Sequence, residues 1–172
     1  MTRRHPNGDP LVRGETPPDY TIEALEFWKA KGWITENEYG CWIWRGGLVM
    51  TGKTNDAHHT YSLAYLETST RYGFINLRTG KGMRVHRWVY ECIHGEGALE
   101  GLTLDHSPHL TLGIPLNTLC CNPDHLEVVS NLVNIKRQTL MFRLQEKAVK
   151  GTITGEEMDK LLSMETERDI YG

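Results

Sequence analysis

The sequence predicts an α+β fold, and three observations carry that expectation. Residues 72–77 and 82–85 are short β-prone runs separated by Thr79-Gly80, the pattern of a hairpin. Behind Ser130 as a cap, Leu132, Ile135, Leu140, Leu144 and Ala148 keep near-helical spacing to about Lys150. Thr21 caps a shorter helix near the N-terminus, with Ala24, Leu25 and Trp28 on one face and Gly32 ending it.

Taken in order, residues 1–19 hold four prolines and two glycines and read as irregular or mobile. Residues 41–44 form a short apolar strand. Residues 51–70, polar and carrying His58-His59, read as a long loop or an excursion. After the hairpin, residues 87–94 form a helix ended by Gly95, and residues 102–106 a strand. A last helix spans about 155–166, with Thr154 before it and two glutamates in its first turn to complement the helix dipole. Trp42, Trp44 and Trp88 are assigned to the core, with stacking on bases as the alternative. No internal repeat is present.

A chain of 172 residues supports one domain, with or without extensions. Hydrophobic content of 39% and charged content of 24% are ordinary for a soluble protein. No apolar run reaches membrane-spanning length, and the first twenty residues lack a signal-peptide core. Four cysteines in such a chain read as metal ligands or buried thiols, not disulfides, and point to a reducing cytoplasm. The formal net charge of −3 hides an uneven distribution. Residues 71–94 carry five cations against one acid, and so do residues 134–150, whereas the tail after Gly151 carries six acids against two cations. Two basic segments can hold phosphates while an acidic tail neutralises the total.

The chemistry concentrates between Leu104 and Arg137. Asp105-His106 sets a carboxylate beside an imidazole whose neutral form suits a general base near pH 7. Cys120 and His125 form a C-x4-H pair, soft sulfur with borderline nitrogen, which suits zinc. Buried apolar thiols are the competing account of Cys120 and Cys121. Asn134 follows His125 by nine residues, just inside the long helix.

Five motifs then fall in one order: CWIWRGG at 41–47, YGFINLRTGKGMRVHRWVYE at 72–91, GLTLDH at 101–106, CNPDHLE at 121–127, and the helix asparagine Asn134. In that order the chain resembles the HNH nucleases (His-Me finger or ββα-metal nucleases). It lies nearest the branch of His-Cys box homing endonucleases and phage-borne HNH proteins. The resemblance covers roughly residues 41–137. It implies a small ββα-metal core at residues 41–150 with a zinc-stapled loop, an N-terminal extension with a short helix at 1–40, and an acidic C-terminal helix or tail at 151–172.

It further implies hydrolysis of DNA phosphodiester bonds with His106 as base. A Mg2+-type ion would sit on Asn134, with Asn131 as a rival, and Asp105 would serve as a further ligand or orient a neighbour. Structural zinc would lie on Cys41, Cys120 and His125, unless His125 serves the catalytic ion. The chain departs from the family where a cysteine usually follows two residues after the base; Pro108 stands there, leaving His109 or Cys121 as fourth zinc ligand. Insertions at about 48–71 and 110–119 are further departures. Arg84 or Arg87 would stabilise phosphate charge, with His86 between them as a packing or positioning residue. Lys136, Arg137 and Arg143 would contact DNA phosphates. A double-strand cutter needs two chains, and Met158, Leu161, Leu162 and Met164 give the tail an apolar side for a homodimer. The alternative function is a zinc-stapled, non-catalytic DNA-binding module derived from such a nuclease.

Overall fold

Regular structure begins at Thr21 in the computed structural model, which describes residues 3–50, 53–54, 72–157 and 159. The Thr21 hydroxyl accepts the Ala24 amide at 3.1 Å and opens α1 (Ile22–Ala30). Eight strands follow among the described residues: β1 (Ile34–Glu36), β2 (Trp42–Trp44), β3 (Leu48–Met50), β4 (Lys53–Thr54), β5 (Tyr72–Asn76), β6 (Gly82–Arg84), β7 (Leu102–Asp105) and β8 (Glu127–Ser130). They pair antiparallel in small sheets ordered β1-β2, β4-β3-β5-β6 and β7-β8. Helices α2 (Val85–His94), α3 (Pro108–Thr111) and α4 (Asn131–Val149) complete the mixed α and β architecture. No helix among the described residues is long and apolar enough to cross a membrane.

The hairpin forms where expected, with Phe74 opposite Arg84 and Asn76 opposite Gly82. Gly80 turns it with φ of 82°, a conformation that an L side chain resists. Helix α2 buries Val85, Trp88, Val89 and Cys92, a spacing that lays one stripe along the sheet. Ala24, Leu25, Trp33, Ile34, Trp44, Ile75 and Leu77 close over the same core. Trp33 and Trp44 stack at 5.8 Å between ring centroids, and Trp88 donates its indole N–H to the Asp19 carbonyl at 2.6 Å. A second, smaller cluster joins Cys41, Ile43, Leu48, Leu119 and Cys120.

Several features depart from the sequence reading. β1 and β8 are too short to show alternation, and helix α3 lies at the start of what reads as a loop. The strand at 102–105 stops one residue before His106. Inside the segment expected to be irregular, His5 is buried: its Nε2–H donates to Glu15 at 2.7 Å and its Nδ1 accepts the Trp33 indole N–H at 2.9 Å. The apolar stripe of α4 is also rotated. Leu132 and Ile135 are 61% and 59% exposed, whereas Leu144 is buried. Arg137 takes an inward position in their stead because two carboxylates await it there. Most of residues 51–70, with His58-His59, lie outside the described residues, as do Met158, Leu161, Leu162 and Met164 and with them the expected dimer element.

Gly73 packs tightly against the core tryptophans. A Cβ built there would lie 2.7 Å from Cδ1 and 3.0 Å from Cγ of Trp44, itself packed between Trp28 and Trp33. Gly73→Ala should therefore destabilise the fold by about 1–3 kcal/mol through overpacking, read as a lower urea midpoint at unchanged m-value.

Candidate functional site

Short loops and the one-turn helix α3 bring the predicted zinc ligands together. The Asn37 side-chain oxygen accepts the amides of Tyr39 and Cys41, both at 3.0 Å, and sets Cys41 at the entry to β2. Asn122 caps the 3-10 turn Pro123–His125 by accepting the Asp124 amide at 3.0 Å. Its amide also donates to the Gly40 carbonyl at 2.8 Å, which fastens that turn to the Cys41 loop. A bridge between Ile43 and Cys120 holds the third loop against β2.

The donor atoms of Cys41, His109, Cys120 and His125 all fall within 4.8 Å of one another, and all four residues are buried. Cys41 Sγ lies 3.5 Å from His109 Nε2 and 3.4 Å from His125 Nδ1, with Cys120 Sγ 3.6 Å from that same nitrogen. His109 directs Nε2 to the cluster because its Nδ1–H donates to the His106 carbonyl at 3.0 Å. An imidazole whose second nitrogen donates to a backbone carbonyl is the ordinary arrangement of a metal-ligating histidine. Burial pushes the Cys41 thiol up and the Cys120 thiol to about 12, while it lowers His109. This cluster can hold a metal ion. Cys121 is turned away from it: its thiol meets the Trp42 carbonyl at 3.3 Å and packs in the main core.

His106 adjoins this centre. Its Nε2–H donates to the Cys120 carbonyl at 3.0 Å, which leaves the lone pair on Nδ1. Its ring lies 5.4 Å from that of His86 and 5.8 Å from that of Tyr72. Burial is the main reason the His106 imidazolium loses its proton at about pH 4, and His86 is lowered well below its usual range for the same reason. Both rings are neutral at pH 7. Tyr72, which sequence reasoning did not single out, closes the array; its only signal was its place at the start of the hairpin motif.

The two arginines of RVHR part company. Arg87 donates to the Leu102 carbonyl at 2.8 Å and the Leu99 carbonyl at 3.1 Å, bracing the turn before β7. Arg84 is exposed and lies over the Tyr72 ring at 4.5 Å, on the side of the histidines. Lys136 and Arg143 are exposed on α4. Arg137, expected on DNA phosphates, is paired inside with Asp105 at 3.3 Å and Glu127 at 2.7 Å. Asp105 in turn accepts the Ser107 amide at 3.2 Å, so both its oxygens already have partners. Asn134 and its rival Asn131 stand in the first turn of α4, directly after β8. No protein-family model, curated protein or solved structure matches the chain.

Two thiols held protonated by burial must each give up a proton to a metal. Metal uptake by the apo protein at pH 7 should therefore release about two protons per ion, measured by calorimetry in buffers of different ionisation enthalpy. Cys120→Ser should abolish stoichiometric binding, since it removes one of the two thiols of the donor cluster, the one 3.6 Å from His125 Nδ1.

Proposed function

We propose that this chain is a small metal-dependent HNH endonuclease that hydrolyses DNA phosphodiester bonds, with His106 as general base. The observation that carries the reading is the setting of His106. Its ring is held by one carbonyl through Nε2, presents a free lone pair on Nδ1, and shares an aromatic cluster with an exposed arginine. The fixed imidazole is neutral at pH 7 and so able to accept a proton, although burial, which lowers its pKa to about 4, makes it a weaker base than an ordinary histidine. The order of motifs from CWIWRGG to Asn134 supports the same assignment.

Zinc is the ion proposed for Cys41, His109, Cys120 and His125. Two thiols and two imidazoles, buried and closed to solvent, match the tetrahedral donor set of a structural zinc with no open position. For the catalytic ion the oxygen donors are fewer. Asp105 is engaged by Arg137 and Ser107, and the side-chain amide oxygen of Asn134, which the order of motifs assigns to the ion, is the protein donor proposed for it. A magnesium-type ion keeps most of its waters and needs little more, and when bound it supplies charge stabilisation at the leaving oxygen. Asn134 would hold it, Arg84 would offset charge on the phosphate, and Lys136 and Arg143 would contact neighbouring phosphates. Arg87 is not proposed for catalysis, since its donors serve Leu99 and Leu102.

One observation favours the second reading, a zinc-stapled DNA-binding module without catalysis. His106 is only 5% exposed, and Asp105 is closed off by Arg137. Nicking of supercoiled plasmid by pure protein separates the two. The nuclease reading expects cleavage that requires added Mg2+ and stops with a chelator; the binding module expects DNA retention with no cleavage under any divalent ion.

His106→Ala should lower the cleavage rate by about 10² to 10⁴ while zinc content and DNA affinity persist, because the base lowers the barrier and holds no metal. Cleavage at the wild-type rate would remove His106 from the mechanism.

Arg84 and Arg87 should separate in the same assay. Arg84→Ala should slow cleavage by roughly 10²-fold at unchanged stability. Arg87→Ala should instead cost about 1–3 kcal/mol of stability in urea denaturation, because it leaves the Leu99 and Leu102 carbonyls without their donor.

A further inference from the structure

Asp105 and Glu127 face one another across the β7–β8 ribbon as directly paired residues. Like charges at such positions repel, and both side chains are largely shielded from water, at 16% and 18% exposure. Arg137 is paired with both. Arg137 Nη1 donates to Glu127 Oε2 at 2.7 Å and to Asp105 Oδ2 at 3.3 Å. Ser107 completes the network: its amide donates to Asp105 Oδ1 at 3.2 Å and its hydroxyl to Glu127 Oε2 at 3.5 Å. The residues immediately before and after His106 are thus both members.

Helix geometry gives this network its reach. Arg137 stands three residues beyond Asn134, one turn along the same side of α4. One guanidinium therefore joins three elements: β7, which ends at Asp105 just before His106; β8; and the helix that carries Asn134. Its Nη1 is engaged inside the fold, and about a third of a helical turn separates it from the exposed Lys136 and Arg143.

We propose that Arg137 is a positioning residue. By neutralising the cross-strand pair Asp105–Glu127 it fixes the register of α4 on the β7–β8 ribbon, and so the placement of Asn134 relative to His106. The inference rests on the nuclease reading for its consequence in catalysis, but the brace itself is independent of activity.

A brace and a phosphate contact predict opposite results. Removing a phosphate contact weakens DNA binding and reduces the salt slope of affinity by about one. Removing a brace leaves both unchanged and lowers kcat, since small misplacement of reacting groups costs up to about 10²-fold. Arg137→Gln, with DNA binding measured in Ca2+, should show a kcat reduced about 10- to 100-fold at unchanged KM and salt slope. Adding Glu127→Gln should restore part of that loss by removing the repulsion. Should Arg137→Gln fail to fold, Arg137→Lys retains the charge without the planar fork and should show an intermediate kcat.

An activity-free measurement accompanies this. In NMR spectra of zinc-loaded protein, the Asn134 side-chain amide and His106 ring signals should both shift in Arg137→Gln and move back towards wild type in the double variant. A smaller salt slope with kcat retained, or Asn134 and His106 signals that do not move, would overturn the proposal. A wild-type protein inert on DNA in Mg2+ would sink the nuclease reading, and the NMR shifts alone would then decide the brace.

Discussion

Two thiols and two imidazoles converge within 4.8 Å of one another, shut away from water, and that convergence is the constraint on which the functional half of the molecule depends. Polar groups taken out of water must find partners, and here the principal partners are the other donors of the cluster. Between His106 and Glu127 the backbone has one turn of helix, one 3-10 turn and little else to hold it. Fastening Cys120 to β2 and His125 beside Cys41 is what gives this segment a definite place. The carbonyl that fixes the His106 ring belongs to Cys120, and the His109 Nδ1–H reaches the carbonyl of His106 itself. His106 and the donor cluster thus share hydrogen bonds as well as neighbourhood.

Much of the local structure was legible because it is written in short-range chemistry. Thr21, Gly80, Gly95 and Ser130 each mark a cap or a turn through their own backbone and hydroxyl, and each stands where its signal places it. The Cys120–His125 pair was legible from donor type and spacing, Cys41 only through the order of motifs, and the choice between His109 and Cys121 required their directions. What stayed hidden depends on partners far along the chain. Burial of His5 becomes intelligible only once Trp33 and Glu15 flank it. The rotation of α4 is a plainer case: reading apolar residues as the inner face fails when an inward position is taken by an arginine that meets two carboxylates.

RVHR shows how one motif divides its labour. Arg84 precedes α2 at the end of β6 and Arg87 lies within its first turn, so the helix sends them to different sides. One guanidinium is spent on carbonyls and holds the turn before β7. The other remains over an aromatic face at the surface. Their identical chemistry gives no hint of this division; only the place at which the helix starts does.

The spacing of the four donors along the chain has a consequence for the order of assembly. Cys120 and His125 are five residues apart, whereas Cys41 is 68 residues from His109 and 84 from His125. Closing the longest of these loops costs about 2.5 kcal/mol more chain entropy than closing the shortest. The Cys120–His125 pair is thus the part an unfolded chain reaches most readily, and an ion captured there carries two of its four donors before any sheet has formed. Recruitment of Cys41 then draws β2 against the later half of the chain. An ion bound in that order would be a nucleus around which distant halves are gathered, and its supply during synthesis would then bear on how quickly, as well as how firmly, the chain folds.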